Sequence, residues 1–339
     1  MLIPTMCFSK YNNDSIVYHV SNKIDSLPDG FHISIALIKN DSIDYIGFKK
    51  EDSVTQVNLE DSLFEIASVT KVFTSTLLAK KVIEKKIKLN SNVNKAFPYK
   101  FNNKIKLNYL ALSNHTAGLY RIPSNLLVLM LKTPDTPYAS YNFQKLDEYL
   151  KDELTLESEE LKYSYSNLGP GILAYTLAKV ENETFGTLLK KDIFSKYGMN
   201  ATSFKASTSI PGINDNGEET ENWEFNALSG AGGLVSNARD MSRFLQAHFN
   251  SEDEILSLTR KSTFTISENM AIGLGWHILD YNSEEPVYWH NGGSGGYRST
   301  VGFKISNKTG VVVLSNISAF SKYSALIDEL CFELLDSLK

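Results

Sequence analysis

Strand-like segments stand near both ends of this chain, and that arrangement limits the folds it can adopt. Residues 32–40 and 41–50 are rich in β-branched side chains, and Asn40-Asp41 at their junction is typical of a hairpin turn. Beyond residue 270, Gly and Asn turns separate four more such segments: GLGWHIL, VYWHN, STVGFKI and GVVVLSN. The pattern predicts an α+β fold with an antiparallel sheet that both termini build.

The middle of the chain has a different character. Apolar residues recur there at helical spacing between long loops, and the C-terminal segment 320–338 shows the same spacing. We therefore expect one domain with two regions and flanking helices. An α/β region comprises residues 1–88 and 255–339, a mostly helical region comprises residues 89–254, and an active site is expected between them.

Composition and charge exclude several classes of protein. The 339 residues carry a net charge of −5, and the basic residues are scattered, which disfavours a nucleic-acid partner. No apolar run approaches the roughly 18 residues of a membrane span, so the LVLML run at 127–131 is predicted to be a buried helix. The first residues do not resemble a signal peptide, which favours a cytoplasmic protein.

Metal and disulfide chemistry are also disfavoured. Six histidines show no zinc-binding pairing, and Cys7 and Cys331 have neither metal-ligand nor CxxC spacing. We expect two free thiols, no metal and no organic cofactor.

Ser68 and Lys71 form the one Ser-x-x-Lys pattern of the chain. Three-residue spacing puts both side chains on one face of a helix, which is predicted to run from Ser68 to about Lys86 and has its positive end at Ser68. A serine becomes a nucleophile when a neighbour removes its proton, and burial lowers the pKa of a lysine so that it can do so. An ordinary turn of buried helix explains the pattern equally well.

Two downstream motifs, Tyr165-Ser-Asn167 and His290-Asn-Gly292, favour the catalytic interpretation of Ser68 and Lys71 over an ordinary turn of helix. With Ser68-x-x-Lys71, in this order, they resemble the serine β-lactamase and penicillin-binding-protein superfamily. The branch they resemble holds class C β-lactamases, D-alanyl-D-alanine carboxypeptidases and related esterases. Neighbouring blocks extend the resemblance over about residues 60–316: FEIASVTKVFT, LALSNHTAGL, IFSKYGMNATSF, SGAGGLVSNARDMSRFL, IGLGWHI and HNGGSGGYRS.

The resemblance implies a β-lactamase/transpeptidase-like fold and a catalytic set of Ser68, Lys71 and Tyr165. The Tyr165 phenol would accept the Ser68 proton and pass it to the leaving group. Lys71 and His290 would be the nearby cations that a phenol needs for this work at neutral pH. Tyr163 is a rival in the same strip, but the Tyr-x-Asn register favours Tyr165.

Binding groups follow from the resemblance as well. Asn167 would hydrogen-bond Lys71 and a substrate amide, and the N–H groups of Ser68 and Gly293 would form the oxyanion hole. The third motif would support substrate binding through His290, Asn291 and Gly292.

Asn291 departs from the family pattern. Family members commonly have a threonine there, and in the carboxypeptidases and β-lactamases its hydroxyl helps to bind the substrate carboxylate. Arg298 is either a replacement carboxylate contact or a solvated hairpin arginine. The substitution favours an ester, amide or lactone over a β-lactam or D-Ala-D-Ala.

These observations predict a serine hydrolase that acts through an acyl-enzyme on a small ester, amide or peptide bond. Three alternatives stay open: a D-Ala-D-Ala carboxypeptidase or β-lactamase, an acyltransferase or peptide cyclase, and a penicillin-binding sensor or scaffold that is not an enzyme. The expected partner is a small molecule or peptide, and the oligomeric state is not determined. Family members are often exported, which conflicts with the cytoplasmic expectation.

Overall fold

Strands from both ends of the chain meet in one sheet. The computed structural model describes residues 13–205 and 209–338, and the strands in them are β1 (Phe31–Lys39), β2 (Ser42–Lys50), β3 (Val54–Gln56), β4 (Phe64–Glu65), β5 (Gly212–Ile213), β6 (Glu219–Thr220), β7 (Val235–Ser236), β8 (Phe264–Ser267), β9 (Met270–Ile272), β10 (His277–Leu279), β11 (Val287–Gly293), β12 (Arg298–Lys304) and β13 (Thr309–Ser315). Nine form an antiparallel sheet in the order β3-β2-β1-β13-β12-β11-β10-β9-β8. The predicted sheet built from both termini is confirmed.

Helices fill the middle of the chain and flank the sheet. In the described residues they are α1 (Asn13–Ile24), α2 (Thr70–Ile83), α3 (Tyr109–Ser113), α4 (Ser124–Lys132), α5 (Phe143–Glu148), α6 (Leu168–Glu181), α7 (Phe185–Leu189), α8 (Ser195–Tyr197), α9 (Ser229–Gly232), α10 (Ala238–Ala247), α11 (Glu254–Arg260) and α12 (Ser324–Ser337). The α+β class is therefore confirmed, whereas the division into regions at residues 88 and 255 stays a prediction.

Both faces of the sheet are buried because its central strands are apolar on both sides. Side chains alternate along a strand, so in β13 Val311 and Val313 pack with α1 and α12, whereas Val312 and Leu314 pack with the helical core. Asn40 joins β1 to β2 with a φ of 53°, a left-handed conformation that asparagine tolerates. The predicted first hairpin and C-terminal helix are confirmed.

Two local predictions are wrong. The α-helix begins at Thr70, and Ser68 lies before it in a tighter 3-10 turn, Ala67–Val69. Helix α4 is not buried: Leu126 is fully covered, but Leu131 is 85% exposed, since only one side of this short helix packs against the protein.

Two further predictions concern membrane helices and cysteines. None of the described helices combines the length and apolar character that a membrane crossing requires. Cys331 is a buried free cysteine, as predicted, and Cys7 lies outside the described residues.

Helix α2 is held in the core by aromatic contacts. The Phe73 ring centroid lies 4.6 Å from that of Phe244 and 5.9 Å from that of Phe194. We expect Phe73→Ala to lower the free energy of unfolding by about 3–5 kcal/mol, because it removes a buried ring and leaves a cavity. Urea unfolding measures this as a lower midpoint. Phe320→Ala is the control, since Phe320 is 77% exposed, and equal losses for both variants would contradict the packing account.

Candidate active site

Ser68 follows a strained turn at the start of α2. The chain leaves β4, and Ala67 has a φ of 42°, in the left-handed region that alanine rarely adopts. The 3-10 turn begins there, and its middle residue is Ser68. The serine side chain is half-buried and faces a cleft. The turn thus presents the hydroxyl while the residues on either side are buried.

Lys71 lies directly below the serine hydroxyl. Its Nζ is 2.9 Å from Ser68 Oγ and 2.7 Å from the carbonyl oxygen of Ala231, and the residue is 1% exposed. Burial lowers the pKa of Lys71 well below its ordinary value, and the positive charge of Arg121 lowers it further. A neutral amine there can donate an N–H to Ala231 and accept the Ser68 proton.

Of the two candidate tyrosines, Tyr165 contacts the nucleophile and Tyr163 does not. Tyr165 hydrogen-bonds Ser68, and Lys71 Nζ lies 4.9 Å from the centre of its ring. Burial raises the pKa of Tyr165 to about 12, against the opposing effects of the Ser68 bond and Arg121. The phenol is therefore protonated at neutral pH. Tyr163 instead reaches His277, with 2.8 Å between its hydroxyl and Nε2.

His115 supports the Tyr-x-Asn strip from below. Its buried ring lies 4.6 Å from the Tyr165 ring, and its Nδ1 accepts a hydrogen bond from the Ser166 N–H at 3.2 Å. The backbone N–H of Ser164 donates to the His115 carbonyl at 2.9 Å. These contacts hold the strip from Ser164 to Ser166 against the loop that carries His115.

Asn167 lies in the cleft but does not bond Lys71, so that expected contact is wrong. Its Nδ2 donates to the Tyr138 hydroxyl at 2.8 Å, and its Oδ1 has no hydrogen-bond partner among the described residues. Lys71 is already engaged by Ser68 and Ala231. A substrate donor, such as an amide N–H, is the natural partner for the free Asn167 oxygen.

His290 is buried beneath the cleft wall rather than exposed in it. Its Nδ1 is 2.6 Å from the Asn291 carbonyl oxygen, so this nitrogen carries the proton. Burial, aided by His277 and Lys71, lowers the pKa of His290 well below its ordinary value. The expectation that His290 supplies a cation is therefore wrong, because the ring is neutral at physiological pH.

Gly292 brings strand β11 against the turn that holds Ser68. A Cβ atom at this position would lie 2.1 Å from the Ile66 carbonyl oxygen and 2.9 Å from the Ser68 nitrogen. The Ser299 hydroxyl donates to the same Ile66 carbonyl at 3.0 Å. Only glycine permits this approach, which places Gly293 beside Ser68 in the cleft wall.

Asn291 and Arg298 line the cleft at the end of strands β11 and β12, but their side chains are bound by helix α12. Asn291 Nδ2 donates to Asp328 Oδ2 at 2.9 Å, and Arg298 Nε donates to Asp328 Oδ1 at 3.1 Å. A second Arg298 nitrogen and the Thr300 hydroxyl also donate to this carboxylate. Arg298 is thus an ion-paired residue and not the solvated hairpin arginine of the sequence analysis.

The cleft has a volume of about 530 Å³ and an aromatic side. Apolar surface comes from Met130, Tyr138, Trp223, Phe225 and Phe320. Ser68, Tyr165, Asn167 and the Gly292–Gly293 backbone supply polar groups. The site can therefore hold an apolar molecule with a carbonyl group at Ser68.

The aromatic side of the cleft and two basic side chains of its wall, His277 and Arg121, were not identified from the sequence. His277 was visible only as part of the GLGWHI block, and burial lowers its pKa to about 4, so it is neutral. Arg121, just after the LALSNHTAGL block, holds its guanidinium carbon 5.1 Å from the centre of the Tyr165 ring. It is the cation that lies beside the phenol in place of His290.

The sequence is similar to that of known proteins over most of its length. The family described as Beta-lactamase matches residues 31–330. A "Beta-lactamase" of Providencia stuartii is 29% identical over 241 residues, which cover 68% of this chain and 57% of that protein. "D-alanyl-D-alanine-carboxypeptidase/endopeptidase AmpH" of Escherichia coli K12 is 25% identical over 305 residues, 81% of this chain and 77% of that one.

A solved structure extends the agreement to the fold. The "Beta-Lactamase/D-Alanine Carboxypeptidase" of Pseudomonas syringae superposes with a TM-score of 0.80 at 20% identity, over 97% of this chain and all of that one. This likeness confirms the predicted β-lactamase/transpeptidase-like fold.

Proposed function

The chain belongs to the Beta-lactamase family of serine hydrolases, and from this premise we propose that it cleaves a small ester, amide or peptide bond through an acyl-enzyme on Ser68. The distance of 2.9 Å between Ser68 Oγ and Lys71 Nζ carries the proposal. A nucleophile within hydrogen-bond reach of a base is the arrangement that covalent catalysis requires. The buried position of Lys71 supplies the neutral amine.

The first step transfers the Ser68 proton to Lys71. As Ser68 Oγ bonds to the substrate carbonyl carbon, its proton moves to the Lys71 amine, and the carbonyl electron pair moves to the oxygen. The Ala231 carbonyl holds the amine by one N–H, which leaves the lone pair for Ser68. A positioned base of this kind contributes about 10²–10⁴-fold to the rate.

The N–H groups of Ser68 and Gly293 would stabilise the negative oxygen. The close contact of Gly292 with Ile66 and Ser68 supports this assignment, because it holds β11 against the nucleophile's turn. One such donor contributes about 2.7–4 kcal/mol to transition-state stabilisation.

Tyr165 would then protonate the leaving group. A phenol with a pKa of about 12 donates a proton at neutral pH rather than accepting one, which reverses the first role expected for Tyr165. The Lys71 ammonium returns a proton to the phenolate as the leaving group departs. Water then attacks the acyl carbon as its proton passes to the neutral Lys71 amine. The Lys71 ammonium returns that proton to Ser68 Oγ as the bond between the acyl carbon and Oγ breaks, which restores the free serine.

Two covalent probes test this proposal. We expect a fluorescent fluorophosphonate to label the protein, and Ser68→Ala to abolish the label, because the serine oxygen forms the bond to phosphorus as fluoride leaves. A fluorescent penicillin tests the substrate class in parallel. A folded protein that neither probe labels would remove Ser68 as the nucleophile.

A D-Ala-D-Ala carboxypeptidase or β-lactamase is the second candidate, because relatives carry those names. Against it, the amide of Asn291 is engaged by Asp328 and is not available to a substrate carboxylate. Stable penicillin labelling would favour a peptidase or a non-enzymatic sensor, and steady turnover of a chromogenic β-lactam would favour a β-lactamase. Release of the acyl group to an added amine would favour an acyltransferase.

Tyr165→Phe tests the leaving-group role. For a nitrophenyl ester, whose leaving group needs no proton, we expect kcat/KM to fall only about tenfold through loss of the hydrogen bond to Ser68. The loss of kcat/KM in Tyr165→Phe should grow as the pKa of the leaving group rises, because a poor leaving group needs the phenol's proton. The measurement is kcat/KM over a series of aryl and alkyl esters.

Tyr163→Phe is the matched control for this series. Its hydroxyl contacts His277, so its effect should not depend on the leaving group. If Tyr165→Phe shows the same flat dependence, Tyr165 is not the acid.

A further inference from the structure

The end of strands β11 and β12 that borders the cleft is called the β11–β12 edge. Its hydrogen-bond donors already bind a carboxylate of the protein itself. Asn291, Arg298 and Thr300 direct four donor atoms at Asp328 on α12. Such a set of charged and neutral donors is what a substrate carboxylate would need. Because Asp328 fills it, a substrate anion would have to displace an ion pair to bind there.

A second cation of the cleft is without such a partner. Arg121 lies in the segment between α3 and α4, where its backbone carbonyl accepts hydrogen bonds from the N–H groups of Asn167 and Leu168. Its side chain is exposed, and its guanidinium makes no hydrogen bond or ion pair with another described residue. Its guanidinium carbon lies 5.1 Å from the centre of the Tyr165 ring. The cleft wall contains no Asp or Glu among the described residues. The guanidinium is therefore available to a negatively charged group close to the reacting atoms.

Apolar surface faces the same space. Tyr138 and Phe225 stack with ring centroids 4.4 Å apart, and Trp223 lies 6.1 Å from Phe320. The backbone N–H of Trp223 donates to the buried Glu65 carboxylate at 2.7 Å, which fixes this segment beside the cleft. An occupant with an apolar body therefore fits the cleft, and Arg121 favours an occupant that also carries a negative charge.

We propose that the substrate of Ser68 carries a carboxylate that pairs with Arg121, while Asp328 closes the β11–β12 edge to substrate anions. Arg121 is then a specificity-determining residue. Its planar fork of donors matches the two carboxylate oxygens. The inference rests on the proposed hydrolase function and names the charge of its substrate.

Matched ester pairs test the proposal. One pair places the charge on the acyl side: the para-nitrophenyl half-ester of adipic acid against its methyl ester. The other places it on the leaving group: para-carboxyphenyl against para-carbamoylphenyl butyrate. In at least one pair we expect the anionic ester to have a kcat/KM about tenfold or more above that of its neutral partner. The preference should shrink as salt screens the charges.

Variants assign the preference to a residue. Arg121→Gln should bring the ratio of anionic to neutral kcat/KM close to one, and Arg121→Lys should keep part of it. Using the ratio cancels any general effect of Arg121 on Lys71 or Tyr165. The double variant Arg298→Gln/Asp328→Asn, which removes the ion pair without leaving an unpaired charge, should keep the ratio.

The outcomes separate this inference from the proposed function. Ser68-dependent turnover of the neutral esters without an anionic preference overturns the assignment of Arg121 and leaves the hydrolase intact. A preference that survives Arg121→Gln, or that disappears in the double variant, also overturns it. Failure of Ser68 to react with the phosphonate and with every ester overturns both.

Discussion

Lys71→Met lowers kcat/KM for ester hydrolysis by about 10²–10⁴-fold, the range typical of a lost general base. Methionine fills a similar volume in this 1% exposed position but cannot take the Ser68 proton. Ser68 and the N–H groups of the oxyanion site stay in place, so the residual rate should exceed that of the uncatalysed reaction. The measurement is kcat/KM per folded molecule, checked by circular dichroism.

Lys81→Met is the matched control, since Lys81 is a second buried lysine on α2. Lys81 Nζ lies 2.7 Å from Asp192 and 2.9 Å from Glu181, and these carboxylates raise its pKa, whereas burial lowers that of Lys71. We expect Lys81→Met to lower stability, because it leaves the Asp192 carboxylate without its ion-pair partner and leaves Glu181 with Lys86 alone. It should spare kcat/KM of the folded fraction. Equal activity losses in both variants would mean that Lys71 acts only through stability.

Gly292→Ala is expected to lower kcat by about 10²–10³-fold, comparable to the loss of an oxyanion donor. The added methyl carbon would lie 2.1 Å from the Ile66 carbonyl oxygen, so β11 or the turn that holds Ser68 must move. A displacement of about 1 Å is enough to cost about 10²-fold when reacting groups depend on exact placement. Single-turnover acylation measures the effect on the step in which Ser68 attacks.

Gly302→Ala is the control for the extra methyl group. Gly302 lies on the neighbouring strand β12, where a Cβ would meet Leu335 at 3.4 Å, an ordinary contact distance. We expect near-normal acylation in this variant. A Gly292→Ala protein with unchanged acylation would show that β11 does not position the nucleophile.

The sheet and its hairpins were predictable because their signals are local. The β-branched run of β1, the turn at Asn40 and the apolar segment of β13 each specify strand or turn through neighbours in the sequence. The exposure of α4 was not predictable. Its run of apolar residues resembles a buried helix, and only the tertiary packing shows that one side stays open.

The site was predictable to the extent that residues act in short motifs. The Ser-x-x-Lys spacing brings Ser68 and Lys71 within hydrogen-bond reach, although Ser68 lies in the 3-10 turn before α2, and the structure brings Tyr165 to them from the downstream motif. Charges were harder to predict, because they depend on groups distant in the sequence. Burial among other histidines removes the positive charge of His290, and Arg121 provides one that no motif indicated.

The role of Asp328 at the β11–β12 edge was likewise not predictable, because it depends on a contact between residues distant in the sequence. Asn291 was notable in the sequence as a departure from the family's threonine. Its partner lies 37 residues away on the C-terminal helix, where nothing in the sequence marks Asp328 as important. Asn291 therefore differs from the family's threonine in two ways: it lacks the hydroxyl, and its amide binds the Asp328 carboxylate.

The rate at which a neutral fluorophosphonate inactivates the enzyme, measured across pH, tests most directly that an unprotonated Lys71 activates Ser68. Ser68 reacts only while the Lys71 amine is free, so the rate should rise from low pH and reach a plateau. The midpoint of that rise should lie well below the ordinary lysine pKa of 10.5, and mass spectrometry should find the adduct on Ser68. A rate that is still climbing near pH 10.5, or an adduct on another residue, would contradict the account.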